Sequence, residues 1–525
     1  MSWPHEVSFA YDASGNVIGL KGSDGETNTA IIPRRPLLVT LGDSMFTYDY
    51  NTTNITSYSY DSATGLVTAV FASDPSIRAG DTIIIQSVTD NISGYEGEVE
   101  VLSYTTSPAI QITYTPLTVP AAATATGGTA VLPWQTRCNG PVANARMMSN
   151  CAFEFVNRSQ GGDTGACIIE RLNRDLDDIS PTHVLLCYGT NDVYGSALTV
   201  ADMLDTLAAI HAYVRSRGAK MGFLTAPPQS SSRSGWSAST LAIAMDWRRA
   251  AAEYCRANSL AFIDWWSAVC GSATVVNASD ANGNPSSGMM STDGIHAANC
   301  AAIAAGKKIA EWIAKDSGLW QPPLAISAAE TANLLSGLFT GTGGSTVGVG
   351  STFTGDSVPD GWKIQVSTGT ATVDVSVDAR TVATDGDNIG NNFTVAISAA
   401  SSGAEVRIER STSAHASFAA GDEADIYMPF ALSGCTDIKG YNFRCGNTSN
   451  NGSAHNRIGY DLAYIAAAGG NIPETVTGTL SHDLKIRDSY GAPTDVTPSV
   501  RLFFGTSGSG AATLKLWRAA MRKAG

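Results

Sequence analysis

The feature that most restricts the fold is a repeated alternation of short apolar runs with helical patterns. The runs "PLLVTL" (36–41), "AFEFVN" (152–157), "HVLLCY" (183–188), "KMGFLTA" (220–226) and "LAFIDWW" (260–266) have the length and the β-branched or aromatic content of buried strands. Between the later ones lie "GACIIERLNRDLDDI", "ADMLDTLAAIHAYVRSRG" and "STLAIAMDWRRAAAEYCRAN", where apolar residues recur at helical spacing. This alternation predicts an α/β domain with a five-stranded parallel sheet and helices on both faces. Ligands of such sheets bind at the strand carboxyl ends, so the loops after the strands are where chemistry belongs.

The first strand is set apart from the others. Residues 56–133 alternate short β-branched and aromatic runs with Gly, Asp and Asn turns, which predicts a small all-β domain inserted into the α/β domain of residues 36–55 and 134–318. The stretch 319–345, with "LLSGLFTGTGGS", is rich in Gly, Thr and Ser and reads as a linker. Period-two segments follow: "TVDVSVDA" places Val373, Val375 and Val377 on one face, and residues 346–525 are expected to form a jelly-roll-like β-sandwich. Residues 1–35 are short, polar and turn-rich, as in an attachment arm. A length of 525 residues suits several domains rather than one core.

Charge removes whole classes of function. With 47 acidic against 33 basic side chains, the net charge of -14 disfavours nucleic acid and anionic membranes as partners. No stretch approaches the roughly 20 apolar residues of a membrane helix, and "MSWPHEVSFAYD" lacks the basic start and apolar run of a signal peptide. The nine cysteines are scattered without CxxC spacing, which argues against a disulfide framework or a zinc site. Only Cys435 and Cys445 are near enough in sequence to cross-link, and free buried thiols are the alternative. Without HxH or HExxH, no metal and no cofactor is expected.

The loops after successive strands hold the reactive residue types. Gly42-Asp43-Ser44 ends the first strand, and taken alone it is either ordinary turn chemistry or a nucleophile on a sharp exit. Gly161-Gly162-Asp163 follows the second strand, Gly189-Thr190-Asn191-Asp192 the third, and "STDGIHAAN" with Asp293 and His296 precedes the last helix. Acyl transfer needs a nucleophile, a base, a group that orients the base and donors aimed at the developing oxyanion. Ser44 supplies the hydroxyl, His296 the base and Asp293, three residues earlier, its partner. The N–H groups of Ser44 and Gly162 and the amide of Asn191 are the oxyanion-hole candidates. Singly, Asn191, Asp192 and Asp293 also read as helix caps, while His183 at a strand start and His211 within a helix read as structural. Asp43, Tyr194 and Trp236 are candidate substrate contacts; an aromatic in a loop over the cleft either lines a sugar site or packs.

These ordered blocks resemble the SGNH (GDSL-type) hydrolase superfamily, with Ser44, Gly162, Asn191 and the pair Asp293 and His296 at the matching positions. The resemblance implies a flavodoxin-like three-layer fold and a serine esterase. Two departures concern the cleft's shape: the insertion after the first block, and "HAANCAAIAAG", which has alanine where a proline and an early glycine are usual. The arm, the insertion and "VPDGWKIQVSTGTATVDVSV" resemble bacteriophage tail proteins that carry an SGNH esterase beside carbohydrate-binding-like domains. That likeness implies a tailspike in the virion tail, a homotrimer attached to other tail proteins, that removes O-acetyl groups from bacterial surface polysaccharide. A lipid esterase or thioesterase and a catalytically silent glycan-binding protein are the rivals. No apolar lid or amphipathic membrane helix is visible to favour the first.

Overall fold

A computed structural model describes residues 35–46, 50–75, 94–136, 140–177, 179–196, 198–229, 236–270, 293–315, 337–411, 421–449, 475–485 and 493–523, with shorter pieces between them and three strands within residues 8–28. Five strands, β1 (Leu37–Gly42), β2 (Glu154–Asn157), β3 (His183–Cys187), β4 (Lys220–Leu224) and β5 (Ala261–Ile263), form one parallel sheet in the order β2-β1-β3-β4-β5. All five residues of β3 are buried, as expected of a central strand covered on both faces, and this is why these strands read as continuous apolar runs.

The helices divide between the two faces. On one lie α1 (Pro141–Met148), α6 (Trp265–Cys270) and α7 (Asn299–Ile313), whose Val142, Trp265, Ala305 and Ile309 pack with Leu38 and Leu185 of the sheet. On the other lie α2 (Gly165–Leu176), α4 (Val200–Ser216) and α5 (Ala238–Ala257), with Ile168, Leu207 and Trp247 against Val39 and Leu186. A short helix, α3 (Thr190–Tyr194), follows β3 directly. The strand order reverses between β1 and β3. In open α/β sheets the crevice at such a reversal is where ligands bind.

The chain leaves the sheet after β1 and returns before α1. In that interval, strands Tyr50–Asp61, Leu66–Phe71, Thr82–Gln86, Gly97–Thr105, Ile110–Tyr114, Thr124–Thr126 and Thr129–Thr136 pair antiparallel. Tyr50–Asp61 pairs with Leu66–Phe71 on one side and Thr129–Thr136 on the other, so the ring of pairings closes on itself. Closure leaves no long open edge. Its interior is filled by Val67, Ile83, Ile85, Val101, Ile112 and Tyr114. The strands run beyond 56–133 at both ends, because the turn residues near those bounds lie inside long strands.

Two sheets make the C-terminal domain. One runs in the order Ser345–Val347, Trp362–Thr368, Glu405–Arg410, Pro493–Phe504, Ile438–Ser449, Ala454–Gly459. The other runs Thr352–Gly355, Thr372–Ala379, Asn391–Ala400, Gly510–Leu516, Glu423–Thr436, Val476–Lys485. Trp362, Val373, Val375, Phe393, Phe430 and Leu514 share one core, with Val377 packed at its margin. Cys435 and Cys445 are both buried thiols, not cross-linked to each other. Within the N-terminal arm, Ser8–Tyr11, Val17–Lys21 and Thr27–Asn28 form a small antiparallel sheet.

The segment read as a linker behaves differently from its composition. Leu335 and Phe339 are buried in the sandwich core, Leu334 N–H donates to Met521 O at 2.8 Å, and Ala519 N–H donates to Gly337 O at 3.0 Å. Two apolar side chains and a backbone ladder outweigh the surrounding Gly and Ser. The sandwich in turn is joined to α1. Met147 and Ile303 belong to the sandwich core, Tyr441 Oη donates to Asn144 Oδ1 at 3.1 Å, and Thr479 Oγ1 donates to Asn150 Oδ1 at 3.0 Å. Cutting the chain before residue 324 therefore exposes apolar surface of the α/β domain. The truncated protein is expected to aggregate or to melt several degrees lower than the full chain; a soluble product with an unchanged melting temperature would show that the two domains are energetically independent.

Candidate active site

The loop after β1 is shaped by close packing. A Cβ on Gly42 would lie 2.3 Å from the Cys187 carbonyl oxygen of β3, so only glycine lets the two strands pair to their ends. The next residue turns inward: Asp43 is fully buried, and its Oδ1 accepts the Met45 N–H at 2.9 Å, which closes a tight Asx turn. Ser44 turns the other way and is half-buried in the crevice. Asp43 is therefore a turn-former and not a substrate contact.

Ser44 meets a histidine that is distant in sequence. Its Oγ lies 2.9 Å from His296 Nε2, and His296 Nδ1 lies 2.5 Å from Asp293 Oδ2. The other Asp293 oxygen accepts the N–H groups of Ile295 at 2.8 Å and His296 at 3.0 Å, so the carboxylate is fixed by its own turn. With Asp293 accepting from Nδ1–H, Nε2 is left as the acceptor for the serine proton. A bridge between Met290 and Ala297 closes the base of this turn.

The second and third loops are bound to each other. Gly161 approaches the nucleophile closely, since a Cβ there would sit 3.9 Å from Ser44 Cβ. Gly162 is exposed with φ +88°, a conformation that favours glycine, and no atom crowds its face. Asn191 Nδ2 donates to Asp163 O at 2.9 Å, which places its amide beside the Gly162 loop. Asp192 Oδ1 accepts the Gly165 N–H at 2.9 Å and ties α3 to the start of α2. Bare glycine N–H groups and an anchored amide on the rim of a crevice can receive a developing oxyanion.

Beneath this rim lies a buried guanidinium that the sequence reading missed. Arg171 on α2 pairs with Asp163 and, at 2.6 Å, with Asp175, and its Nη2 donates to Arg158 O at 3.1 Å. Burial opposes its charge, but Asp175 and Asp163 more than offset that and hold its pKa above the usual value. The i,i+4 spacing of Arg171 and Asp175 was visible in the sequence; their burial was not. Burial raises Asp163 to about 6 despite Arg171.

Tyr194 and Trp236 are packed against the core that holds α2, α4 and α5. Tyr194 also borders a cavity of about 20 Å³, together with Thr190, Phe223, Trp247 and Trp266. That volume is room for about one water molecule. Thr190 Oγ1 and Trp266 Nε1 are buried there without partners among the described residues. Among those residues no cluster of three or more His, Cys, Asp or Glu could hold a metal ion, and no helix is long and apolar enough to cross a membrane.

Residues 124–297 match the GDSL-like Lipase/Acylhydrolase family. That stretch supports a GDSL-type hydrolase domain in this part of the chain. The matched stretch holds Gly162, Asn191, Asp293 and His296 but begins after Ser44, which the inserted barrel separates from the rest. Similar solved structures include a chain assigned as a GDSL-like lipase from Parabacteroides merdae, at 13% identity over 55% of this chain and 97% of that one, with a TM-score of 0.30. A lipolytic protein of the G-D-S-L family from Desulfitobacterium hafniense is 14% identical over 33% and 87%, with a TM-score of 0.27. A lipase/acylhydrolase from Enterococcus faecalis is 21% identical over 31% and 76%, with a TM-score of 0.25. No curated protein matches the sequence.

The buried carboxyl of this domain carries a stability signature. Burial pushes Asp43 from 3.8 up to about 7; the Met45 N–H opposes the shift and the nearby Asp192 and Asp163 add to it. The folded state therefore keeps a proton that the unfolded state releases. This contribution is fully present below about pH 4 and is lost as pH rises through about 7. Asp43→Asn keeps the Oδ1 acceptor and removes the titration, so its melting temperature relative to the parent chain should climb between about pH 4 and pH 7 and then level. A pH-independent difference would mean that Asp43 is charged in the fold.

Proposed function

We propose that this chain is a serine esterase that removes O-acetyl groups from bacterial surface polysaccharide. The observation that carries the esterase reading is the unbroken line from Ser44 Oγ through His296 to Asp293, at 2.9 and 2.5 Å. Ser44 Oγ attacks the acyl carbon while His296 Nε2 takes its proton. Ser44 N–H, Gly162 N–H and Asn191 Nδ2 hold the oxyanion, and imidazolium then protonates the leaving alkoxide. Water deacylates the serine by the same route. The mechanism makes its own nucleophile and calls for neither metal nor cofactor.

The acetyl preference rests on the sequence, which shows neither an apolar lid nor an amphipathic membrane helix. A lipid-accepting site gains about 0.8 kcal/mol for each buried methylene, a gain that rates on longer acyl esters read directly. An acidic chain with one β domain inserted in the catalytic sequence and another after it suits an uncharged polymer better than a lipid surface. In this reading the protein is a homotrimeric tailspike in a phage tail, with residues 1–35 as its attachment arm.

Two measurements test the proposal. Ser44→Ala should lower turnover of an aryl acetate by a factor on the order of 10⁴–10⁶ with the fold retained, and Asp293→Asn by about 10⁴. Rates on acetyl, butyryl and octanoyl esters of one alcohol should fall with chain length. A folded Ser44→Ala protein that keeps its activity would refute the mechanism, and rates rising toward octanoyl would refute the polysaccharide substrate.

A further inference from the structure

Between the inserted barrel and the hydrolase domain lies a second, larger hollow of about 340 Å³. The barrel contributes Gln86, Glu98 and Leu117; the hydrolase contributes Arg158, Gln160 and Arg174. We propose that this groove is a binding subsite for an uncharged, hydroxyl-rich oligosaccharide segment, which it lays beside the nucleophile. The inference rests on the esterase reading for its function, while the binding itself can be measured without turnover.

Volume, chemistry and position support it separately. The volume lies within the range of small-ligand pockets, and a seam between domains is a favoured place for one. Gln86 and Gln160 bring primary amides that both donate and accept, as neighbouring hydroxyls require. The guanidiniums are already neutralised: Arg158 faces Glu98 across the groove at 3.0 Å, and Arg174 faces Asp175 at 3.0 Å. A polyanion would have to displace those carboxylates, whereas a neutral sugar need only hydrogen-bond to the exposed edges of the pairs. Leu117, 59% exposed, and Ile84 offer apolar surface to the C–H faces of a sugar ring.

The groove also connects to the crevice through one loop. Gln160 lines the groove while its N–H donates to Gly42 O at 3.0 Å, and the next residue, Gly161, faces Ser44. Gln160 and Gly162 can be no more than about 7 Å apart along the backbone. A chain seated in the groove thus runs toward the hydroxyl that would be deacylated.

The test uses the full chain with Ser44→Ala, so that bound glycan is not hydrolysed. It is titrated against a panel of neutral and anionic bacterial surface glycans with and without O-acetyl groups, with heparin and single-stranded DNA alongside. At least one neutral glycan should bind. Adding Gln86→Leu, or Glu98→Ala at a half-exposed side chain that bears little on folding, should weaken that binding about tenfold. Retention of polyanions alone, no retained neutral glycan, or equal affinity in folded groove variants would overturn the proposal. Residual hydrolysis by the Ser44→Ala chain would instead refute the catalytic reading and leave the binding result standing.

Discussion

The loop from Arg158 to Asp163 serves the crevice on one side and the polar groove on the other, and its shape depends on Arg171. That guanidinium takes the Arg158 carbonyl at one end of the loop and the Asp163 carboxylate at the other, with Asp175 completing its charge balance. A buried pair of this kind gains little over a well-packed apolar replacement, yet removing one partner costs about 3–5 kcal/mol, because the other charge is left stranded. The arrangement adds less to stability than to specificity: it fixes the path of the loop in which Gly161 faces Ser44. Asn191, bonded to the Asp163 carbonyl, inherits its position from the same anchor.

The inserted barrel explains why a discontinuous sequence can make a contiguous site. In the sheet order β2-β1-β3-β4-β5, β1 pairs with both β2 and β3 although some 110 residues separate it from β2 in the chain. Parallel pairing needs only that the connection be long enough, and loop-closure entropy grows slowly with length. A closed barrel is well suited to such an interval because it brings its own core and adds no long open edge. Ser44 consequently lies outside the stretch of residues 124–297 that matches the family, yet 2.9 Å from its histidine.

Much of this was legible beforehand, and the exceptions have physical causes. Hydrophobic period and length marked all five strands, since buried parallel strands carry near-continuous apolar runs. The DxxH spacing of Asp293 and His296 anticipated a contact made within one turn, and that short range is why it could be read. Glycine and serine content suggested a linker at 319–345, but Leu335 and Phe339 decide where a chain packs, and composition averages them away. Arg171 was passed over because a charged residue on an amphipathic helix is normally solvated, and nothing local shows that two carboxylates wait beneath it. For Trp236 and Tyr194 the sequence left two readings, lining a sugar site or packing, and both side chains pack against the core.

The dipeptide at the end of β1 shows how one short motif carries two duties. At a strand end, successive side chains point to opposite faces, so a residue aimed into the crevice must be preceded by one aimed into the protein. Aspartate is an expensive residue to bury, and here it is held largely by the N–H of Met45 in the turn it forms. Its raised pKa follows from that environment: with the Met45 N–H as its main donor and two further acidic groups nearby, the carboxyl is easier to bury neutral than charged. A neutral carboxyl still closes the turn that aims Ser44 outward. In the esterase reading, the carboxylate in line with the histidine is that of Asp293, where it would stabilise the imidazolium formed in the reaction.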